Sequence, residues 1–206
     1  AAVNQHRTVE TADLRIAVED ATGQGLNWFF DQWVHHGGHP EFSVNWNWDE
    51  ATKTVTVTVK QTQKTDDLTA RFRMPVEIEL ASHSASQIRR VNVSKAEETF
   101  HFRLDKKPTR VCFDPRDWVL KKLTVVKSRE EWLDQLAYSD HVMPRVRAAE
   151  KLSAFKADPE VIEALVATAG NDPFWAVREQ AVKTLGGANG EQGRQTLLAI
   201  SRDDQK

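Results

Sequence analysis

The sequence has few of the residues that form cross-links, redox sites and membrane segments. Its 206 residues include one cysteine, one tyrosine and two methionines. A single cysteine excludes an intrachain disulfide and any zinc site built from several thiolates. The longest apolar stretches, such as residues 161–169, are interrupted by charge and are shorter than the roughly 20 residues that cross a bilayer. We therefore expect no membrane span.

An excess of one charge is also absent. The chain has 28 Lys and Arg residues against 30 Asp and Glu residues. The zone of residues 41–127 is mildly basic, with 16 basic and 12 acidic residues, but the two signs are interleaved. A nucleic-acid-binding surface needs basic residues gathered on one side. We therefore expect no nucleic-acid partner.

Hydrophobic periodicity divides the chain into three zones. Residues 1–40 have apolar residues at helical spacing, residues 41–127 alternate apolar and polar residues, and residues 128–206 return to helical spacing. We predict a mixed all-β plus all-α architecture with these three zones as its domains. It comprises a short N-terminal helical pair, an antiparallel β-sandwich of about seven strands and C-terminal helical repeats. The first residues contain neither an initiator methionine nor a signal peptide, so we expect a part of a longer protein.

The N-terminal zone contains two apolar stripes at helical spacing. We predict one helix capped by Thr8 or Thr11 and a second helix that ends at the glycine pair before Pro40. Two helices of this length cannot form a core alone, so they must pack on the next zone or on another part of the protein. The stripes consist of Leu14, Ala17, Val18 and Ala21, and of Leu26, Phe29, Phe30 and Trp33.

The pattern of the middle zone predicts half-buried strands that are separated by turn residues. Val55, Val57 and Val59 alternate with threonines, and similar alternation recurs along the zone. Two antiparallel layers with apolar inner faces would bury these residues. Pro75 lacks a backbone donor, so we expect its strand to lie at an edge or to carry a bulge.

The C-terminal zone repeats itself at an offset of 33 residues, at which Arg145, Ala148 and Leu152 superpose on Arg178, Ala181 and Leu185. This period predicts a helical hairpin present twice, after a helix that opens with a capping box of Ser128 and Glu131. We predict helix starts at Asp158-Pro159 and Asp172-Pro173 and a third copy beginning near Asp203. We expect the repeated arginines, Arg145 and Arg178, to pair with acidic residues such as Asp140 or Asp172.

Three histidines, His35, His36 and His39, are the candidate metal ligands. Three imidazoles can bind zinc and leave a fourth position open. However, adjacent residues on a helix point about 100 degrees apart, and Gly37-Gly38 separates the third histidine from the first two. We therefore predict no metal site and interpret these histidines as solvated side chains at a helix end.

The remaining reactive residues give no catalytic pattern. Four tryptophans fall within residues 28–48, and their spacing indicates packing at the joint between helices and sandwich rather than a sugar platform. Cys112 lies between Val111 and Phe113, where we expect a buried, unreactive thiol. No serine-nucleophile motif or phosphate-binding loop is present. We predict no catalytic and no cofactor-binding residues in this chain.

The sequence from Gly25 to Pro40 resembles the end of the catalytic domain in the zinc aminopeptidase family typified by aminopeptidase N. In that family a helix carrying Phe and Trp precedes a Gly-aromatic-Pro turn, with the Pro seven residues after the Trp. Trp33 and Pro40 have this spacing, although His39 replaces the aromatic residue. Residues 45–61, 72–76 and 113–115 resemble the β-sandwich of the same family, and the helical hairpins resemble its HEAT-type C-terminal domain.

The resemblance implies a parent enzyme that uses zinc to remove N-terminal residues from peptides. Its catalytic parts are a His-Glu-x-x-His motif with a distant Glu, a glycine-rich motif that binds the substrate amine, and a tyrosine that stabilises the oxyanion. None of these occurs here, since no histidine begins such a motif and the only tyrosine, Tyr138, follows the sandwich. No catalytic residue is therefore carried over, and zinc is expected only in the parent.

The resemblance predicts a non-catalytic C-terminal portion of such an enzyme. Its partners would be the N-terminal and catalytic domains of the same chain and the peptide substrate, whose cavity it would help to shape. Two alternatives remain. One is an aminopeptidase-like scaffold that has no zinc and works through protein contacts. The other is an independent binding module that uses the tryptophans or the hairpins.

Overall fold

The computed structural model describes residues 8–83 and 85–187. These residues form a helical N-terminal segment, two β-sheets and an array of helices, in that order along the chain. The helices are α1 (Thr11–Thr22), α2 (Asn27–Phe30), α3 (Arg129–Tyr138), α4 (Val142–Lys151), α5 (Pro159–Asn171) and α6 (Trp175–Gly186). The strands are β1 (Glu41–Asp49), β2 (Thr54–Gln61), β3 (Met74–Ser82), β4 (Ala85–Val93), β5 (Glu97–Arg103), β6 (Arg110–Phe113) and β7 (Lys122–Val125).

The predicted fold class is confirmed. The seven strands form one sheet in the order β5-β2-β1-β7 and a second in the order β4-β3-β6. Alternation places the valines of β2 inside, each at most 1% exposed, and the threonines of the same strand outside. The core between the sheets consists of Phe42, Val44, Val55, Val57, Val59, Phe72, Met74, Val76, Ile78, Leu80, Val93, Val111 and Phe113.

One strand pairing differs from the antiparallel prediction. β7 runs parallel to β1, with Glu41 opposite Lys122 and Val44 opposite Val125. The chain reaches β7 from β6, which belongs to the other sheet, so no hairpin forces β7 to run opposite to β1. The backbone N–H of Lys122 donates to the carbonyl of Pro40 at 3.0 Å, which aligns the starts of both strands.

The prediction for Pro75 was wrong. Its strand, β3, lies in the centre of the three-stranded sheet and pairs with β4 without a bulge. The carbonyl of Glu77 accepts from the N–H of Asp114 at 2.7 Å, so Glu77 and, two residues earlier, Pro75 face the β6 side. The pairing with β6 begins only at Ile78. The proline nitrogen therefore lies beyond the neighbouring strand, where no donor is needed.

The N-terminal helices differ from each other in packing. α1 begins after Glu10, whose side chain forms a capping box with Asp13, and not at either predicted threonine cap. It buries none of its side chains, and Leu14 is 60% exposed. α2 continues directly into one π-helical turn (Asp31–His35). Phe30 is buried, so only this second helical segment adds to a packed interior.

The predicted helix end at Gly37-Gly38 has a steric reason. Gly38 adopts φ +82, and a Cβ at this position would lie 2.6 Å from Cγ2 of Thr69. Gly37 donates its N–H to the carbonyl of Leu68 at 3.0 Å. The segment after α2 therefore lies against the loop between β2 and β3, and only glycine permits this approach.

The C-terminal helices form two stacked hairpins, α3 with α4 and α5 with α6. Asp158 caps α5 as predicted, with its carboxylate accepting from the N–H of Glu160 at 2.9 Å. The predicted start at Asp172-Pro173 was wrong, because α6 begins at Trp175 and Asp172 accepts from the N–H of Phe174 in the turn before it. The second helix of the second predicted copy and the predicted third copy lie outside the described residues. No helix in the described part of the chain is long and apolar enough to cross a membrane.

Candidate functional site

The three candidate histidines do not converge. His35 ends the π-helical turn, where it is exposed, and His36 follows in extended conformation. The Nδ1 atom of His36 lies 2.8 Å from the carbonyl oxygen of Asp31. His39 lies beyond the Gly37-Gly38 bend. Within residues 8–83 and 85–187, no three or more His, Cys, Asp and Glu side chains are placed to hold one metal ion.

Zinc, which the resemblance implies for a parent enzyme, therefore does not fit the residues present. The sequence contains no His-Glu-x-x-His motif, and the described residues form no ligand cluster. That this chain itself binds no zinc stays a prediction. No reaction step in this chain is assigned to zinc.

The tryptophans around the first joint have the packing role that their spacing predicts, with one exception. Trp33 packs on Phe72, with ring centroids 5.1 Å apart, and Trp46 and Trp48 pack against the sandwich core. Trp28 is only half-buried, and its ring lies under the guanidinium of Arg73 at 5.1 Å. It therefore forms part of a surface rather than of the core.

A groove of about 230 Å³ separates α2 and its π-helical turn from the start of β3. Across it, the side-chain amide of Gln32 accepts from the N–H of Arg73 at 2.7 Å and donates to the carbonyl of Arg73 at 3.2 Å. This paired contact copies the pattern between neighbouring strands. It fastens the helical segment to the sandwich.

The most extensive buried polar contact joins the sandwich to the helical array. Arg110 of β6 is 2% exposed, and its Nη1 donates to Oδ2 of Asp134 in α3 at 2.9 Å. Its Nη2 donates to the carbonyl of Tyr138 at 2.9 Å and lies 3.9 Å from Oε1 of Glu79. Ser86 donates to the same oxygen of Glu79 at 2.8 Å. A guanidinium buried this deeply needs such partners.

A second polar cluster joins the turn after β6 to α4. The ammonium of Lys121 is fully buried and lies 2.5 Å from Asp114 and 2.6 Å from Asp117. Arg147 of α4 also donates to Asp117. The pKa of Asp117 is lowered because, although its partial burial opposes ionisation, hydrogen bonds from Lys121 and Arg147 outweigh that effect. The two clusters bind α3 and α4 to the same end of the sandwich.

Cys112 is buried between these two clusters, as predicted. Its thiol donates to Oε1 of Gln135 at 3.3 Å, and Gln135 in turn donates to the carbonyl of Pro144 at 2.6 Å. Burial raises the pKa of the Cys112 thiol, despite the ammonium of Lys127 nearby. The neutral thiol therefore packs in this joint and donates to Gln135.

An open groove of about 530 Å³ lies at the rim of this joint. The indole of Trp46 forms one wall and donates from Nε1 to Oε1 of Glu131 at 2.8 Å. Glu131 also completes the predicted capping box with Ser128. His83, in the turn between β3 and β4, lines the groove as well, with Nε2 2.6 Å from Oδ1 of Asp134.

Sequence reasoning missed Arg110, Asp134 and His83. Arg110 is the first residue of the short strand β6, and Asp134 follows the apolar pair Trp132-Leu133 on its helix. Charged residues at such positions are ordinarily solvated. The only sequence feature that could indicate burial is the apolar residues next to Arg110 in β6 and next to Asp134 in α3. That feature does not tell which charged residues pair with each other.

Two family models match the sequence. Residues 38–114 match a "Domain of unknown function (DUF3458) Ig-like fold", and residues 129–206 match "HEAT repeats". Among solved structures, the chain is similar to the crystal structure of Legionella pneumophila aminopeptidase A in complex with aspartic acid. The TM-score is 0.70 at 17% sequence identity. The two share a fold.

The similarity extends over nearly all of the chain but only a part of the other protein. It covers 97% of this chain and 26% of the Legionella chain. Among curated proteins, no sequence matches this chain. The helical segment, the sandwich and the helical array are therefore similar, as one continuous unit, to about a quarter of an aminopeptidase chain.

Proposed function

We propose that this chain is the C-terminal portion of a zinc-dependent aminopeptidase that removes N-terminal residues from peptides. Residues 1–40 would be the trailing helices of the catalytic domain, residues 41–127 the sandwich domain and residues 128–206 the first part of a helical repeat domain. The chain itself has no catalytic role in this proposal. It supports the catalytic domain and shapes the cavity that receives the peptide.

One observation carries the proposal: a single structural match spans all three zones. Sandwiches and helical hairpins occur separately in many proteins. Their succession behind a helical segment, matched over 97% of this chain, is a more specific arrangement. The shared fold supports an aminopeptidase parent, while zinc and the peptide substrate come from the sequence resemblance around Trp33 and Pro40.

The supporting role follows from how the helical segment is attached. Gln32 and Gly37 fasten the segment to the loop before β3, whereas α1 buries none of its side chains. A helix of this length is marginal by itself. We infer that α1 packs on the catalytic domain, while the sandwich holds the π-helical end of the same segment. The segment would then keep the catalytic domain and the sandwich at a fixed distance from each other.

The first experiment measures hydrolysis of aminoacyl-anilide substrates by the 206-residue chain with zinc present. We expect no turnover above a buffer control. A longer protein that includes the residues preceding Ala1 in the gene should contain His-Glu-x-x-His and hydrolyse the same substrates. Zinc-dependent turnover by the 206-residue chain alone would contradict the proposal.

The preceding residues also test the scaffold alternative. If they fold as an aminopeptidase domain without His-Glu-x-x-His, the parent is a scaffold that acts through protein contacts. The binding-module alternative has one observation in its favour, since Trp118 and Trp175 are 69% and 62% exposed. Saturable changes in tryptophan fluorescence with peptides or glycans would support it, and flat titrations would exclude it for those ligands.

A further inference from the structure

Within the buried joint between the sandwich and the helical array, the Arg110 cluster has two carboxylates and one guanidinium. Glu79 is 1% exposed and Asp134 is 7% exposed, and both carboxylates lie against the single guanidinium of Arg110. A buried charge without a counter-charge is costly. In the described residues, Oε2 of Glu79, Nε of Arg110 and Oδ1 of Asp134 have no hydrogen-bond partner, so neutral donors do not fully compensate this cluster.

One further side chain reaches the joint. Nε2 of His83 lies 2.6 Å from Oδ1 of Asp134, the oxygen that does not face Arg110. The imidazole also packs on the ring of Tyr138, with centroids 4.5 Å apart. The His83 side chain is 60% exposed, so protons from solvent reach it directly. Histidine is the side chain that gains a charge between about pH 5 and 8.

We propose that His83 is a pH-dependent latch between the sandwich and the helical array. When protonated, it supplies the second positive charge of a four-residue chain in which His83 and Arg110 flank Asp134, and Arg110 also faces Glu79. When neutral, it leaves the carboxylates of Asp134 and Glu79 with the single positive charge of Arg110. The inference rests on the geometry of this joint and not on the proposed enzymatic parent.

Other charged groups line the groove beside His83. From α3, the first-turn residues Glu130 and Glu131 line the same groove and favour a cation there. From the segment before β6, Lys107 lines the groove and opposes it. Tyr138 of α3 packs its ring on the imidazole, and Trp46 of β1 has no charge. Asp134 is the only one of these groups in contact with the imidazole nitrogen.

The sign of the effect follows from the ion pair. Only the imidazolium attracts the Asp134 carboxylate electrostatically, so the joint is tighter when the imidazole is protonated and loosens as pH rises.

The experiment measures hydrogen exchange of the α3 backbone amides in the 206-residue chain between pH 5.5 and 7.5, corrected for the intrinsic pH dependence of exchange. Opening of the joint should become about two- to fivefold rarer at the lower pH in the wild-type chain, as for an ion pair with one exposed partner. His83→Gln should lose this dependence. The matched control His101→Gln removes an exposed histidine of β5 whose Nδ1 lies 3.1 Å from the hydroxyl of Thr56, and it should keep the dependence.

A second measurement separates the latch from a merely structural role of His83. Nitrogen-15 spectra of the wild-type imidazoles should show His83 doubly protonated over the pH range in which exchange slows. If His83 is neutral across that range, or if His83→Gln keeps the wild-type pH dependence, the proposal is overturned. Both readouts use the wild-type chain or an exposed substitution, so they do not depend on a variant that fails to fold.

Discussion

Arg145 in the first helical hairpin and Asp172 in the second are joined by a bidentate ion pair. Nε of Arg145 donates to Oδ2 of Asp172 at 2.8 Å, and Nη2 donates to Oδ1 at 3.1 Å. Nη1 of the same arginine donates to the carbonyl of Ser139 at 2.9 Å, and one repeat later Arg178 donates to the carbonyl of Asp172 at 2.8 Å. Arg145 thus stabilises the turn of its own hairpin through Ser139 and contacts the turn of the next hairpin through Asp172.

Replacing Arg145 with alanine should therefore destabilise the helical array. The two side chains are 11% and 7% exposed, and breaking a buried pair costs about 3–5 kcal/mol because one charge stays buried without its partner. Urea unfolding followed by circular dichroism measures this loss. The control is Lys151→Ala, which removes an exposed charge of α4. A loss below about 1 kcal/mol, as for surface pairs, would contradict the predicted role.

Replacing Gly38 with alanine should loosen the contact between the N-terminal segment and the sandwich. The new Cβ would meet Thr69 at 2.6 Å in a backbone conformation with φ +82, and we expect a loss of roughly 1–3 kcal/mol. Gly25→Ala is the control, because nothing lies within 4 Å of its Cβ position. Thermal unfolding compares the two variants. Equal stability of both would show that Thr69 moves away at no cost.

Replacing Glu131 with alanine should weaken the rim of the joint. The change removes both the capping box of α3 and the acceptor of the Trp46 indole, with an expected cost of about 1–2 kcal/mol. Tryptophan emission should also change, since the indole loses its partner. Glu130→Ala is the matched control, because this neighbour is 68% exposed and pairs only at the surface. If both variants have the same free energy of unfolding and the same tryptophan emission, the contact with Trp46 does not contribute to stability.

Acid should weaken the contact between the turn after β6 and α4. The pKa of Asp117 is lowered in the folded chain, so its ion pairs stabilise the fold above the unfolded pKa of about 3.9 and are lost as pH falls through the lower folded value. Asp117→Asn should cost about 1–2 kcal/mol at neutral pH and flatten the loss of stability below about pH 4. Asparagine suits the positive φ of this position.

The control for this acid effect is Asp67→Asn, which changes an exposed aspartate in the loop before β3. Urea midpoints measured from pH 3 to pH 7 compare the three proteins. The Asp67 variant should follow the wild type throughout. An Asp117 variant as steep as the wild type below pH 4 would contradict the assignment.

Cys112 should resist thiol reagents in the folded chain. Burial excludes the reagent and raises the pKa of the thiol, so the reactive thiolate is scarce and shielded. We expect labelling by a disulfide reagent at pH 8 to be roughly 100-fold slower in buffer than in concentrated urea. The single cysteine makes the signal unambiguous. Equal rates in both solvents would contradict burial at the joint.

The amino-acid sequence by itself determined the element types, because periodicity and capping are local properties of the chain. The alternating valines of β2, the Ser128 and Glu131 capping box and the 33-residue repeat were each sufficient to predict a strand, a helix start and a hairpin. The pairing of Arg145 with Asp172 could also be predicted, since the repeat places the two residues in successive units.

Only the tertiary structure decided which strands neighbour each other and which charges are buried. Pro75 can occupy a central strand because the neighbouring strand β6 is too short to lie beside it. The length of β6 cannot be deduced from the sequence of β3. Arg110, Asp134 and His83 come together from a strand, a helix and a turn that are distant along the chain. The burial of Arg110 and Asp134 depends on how the sandwich and the helices dock, which is a non-local property without any periodic signal.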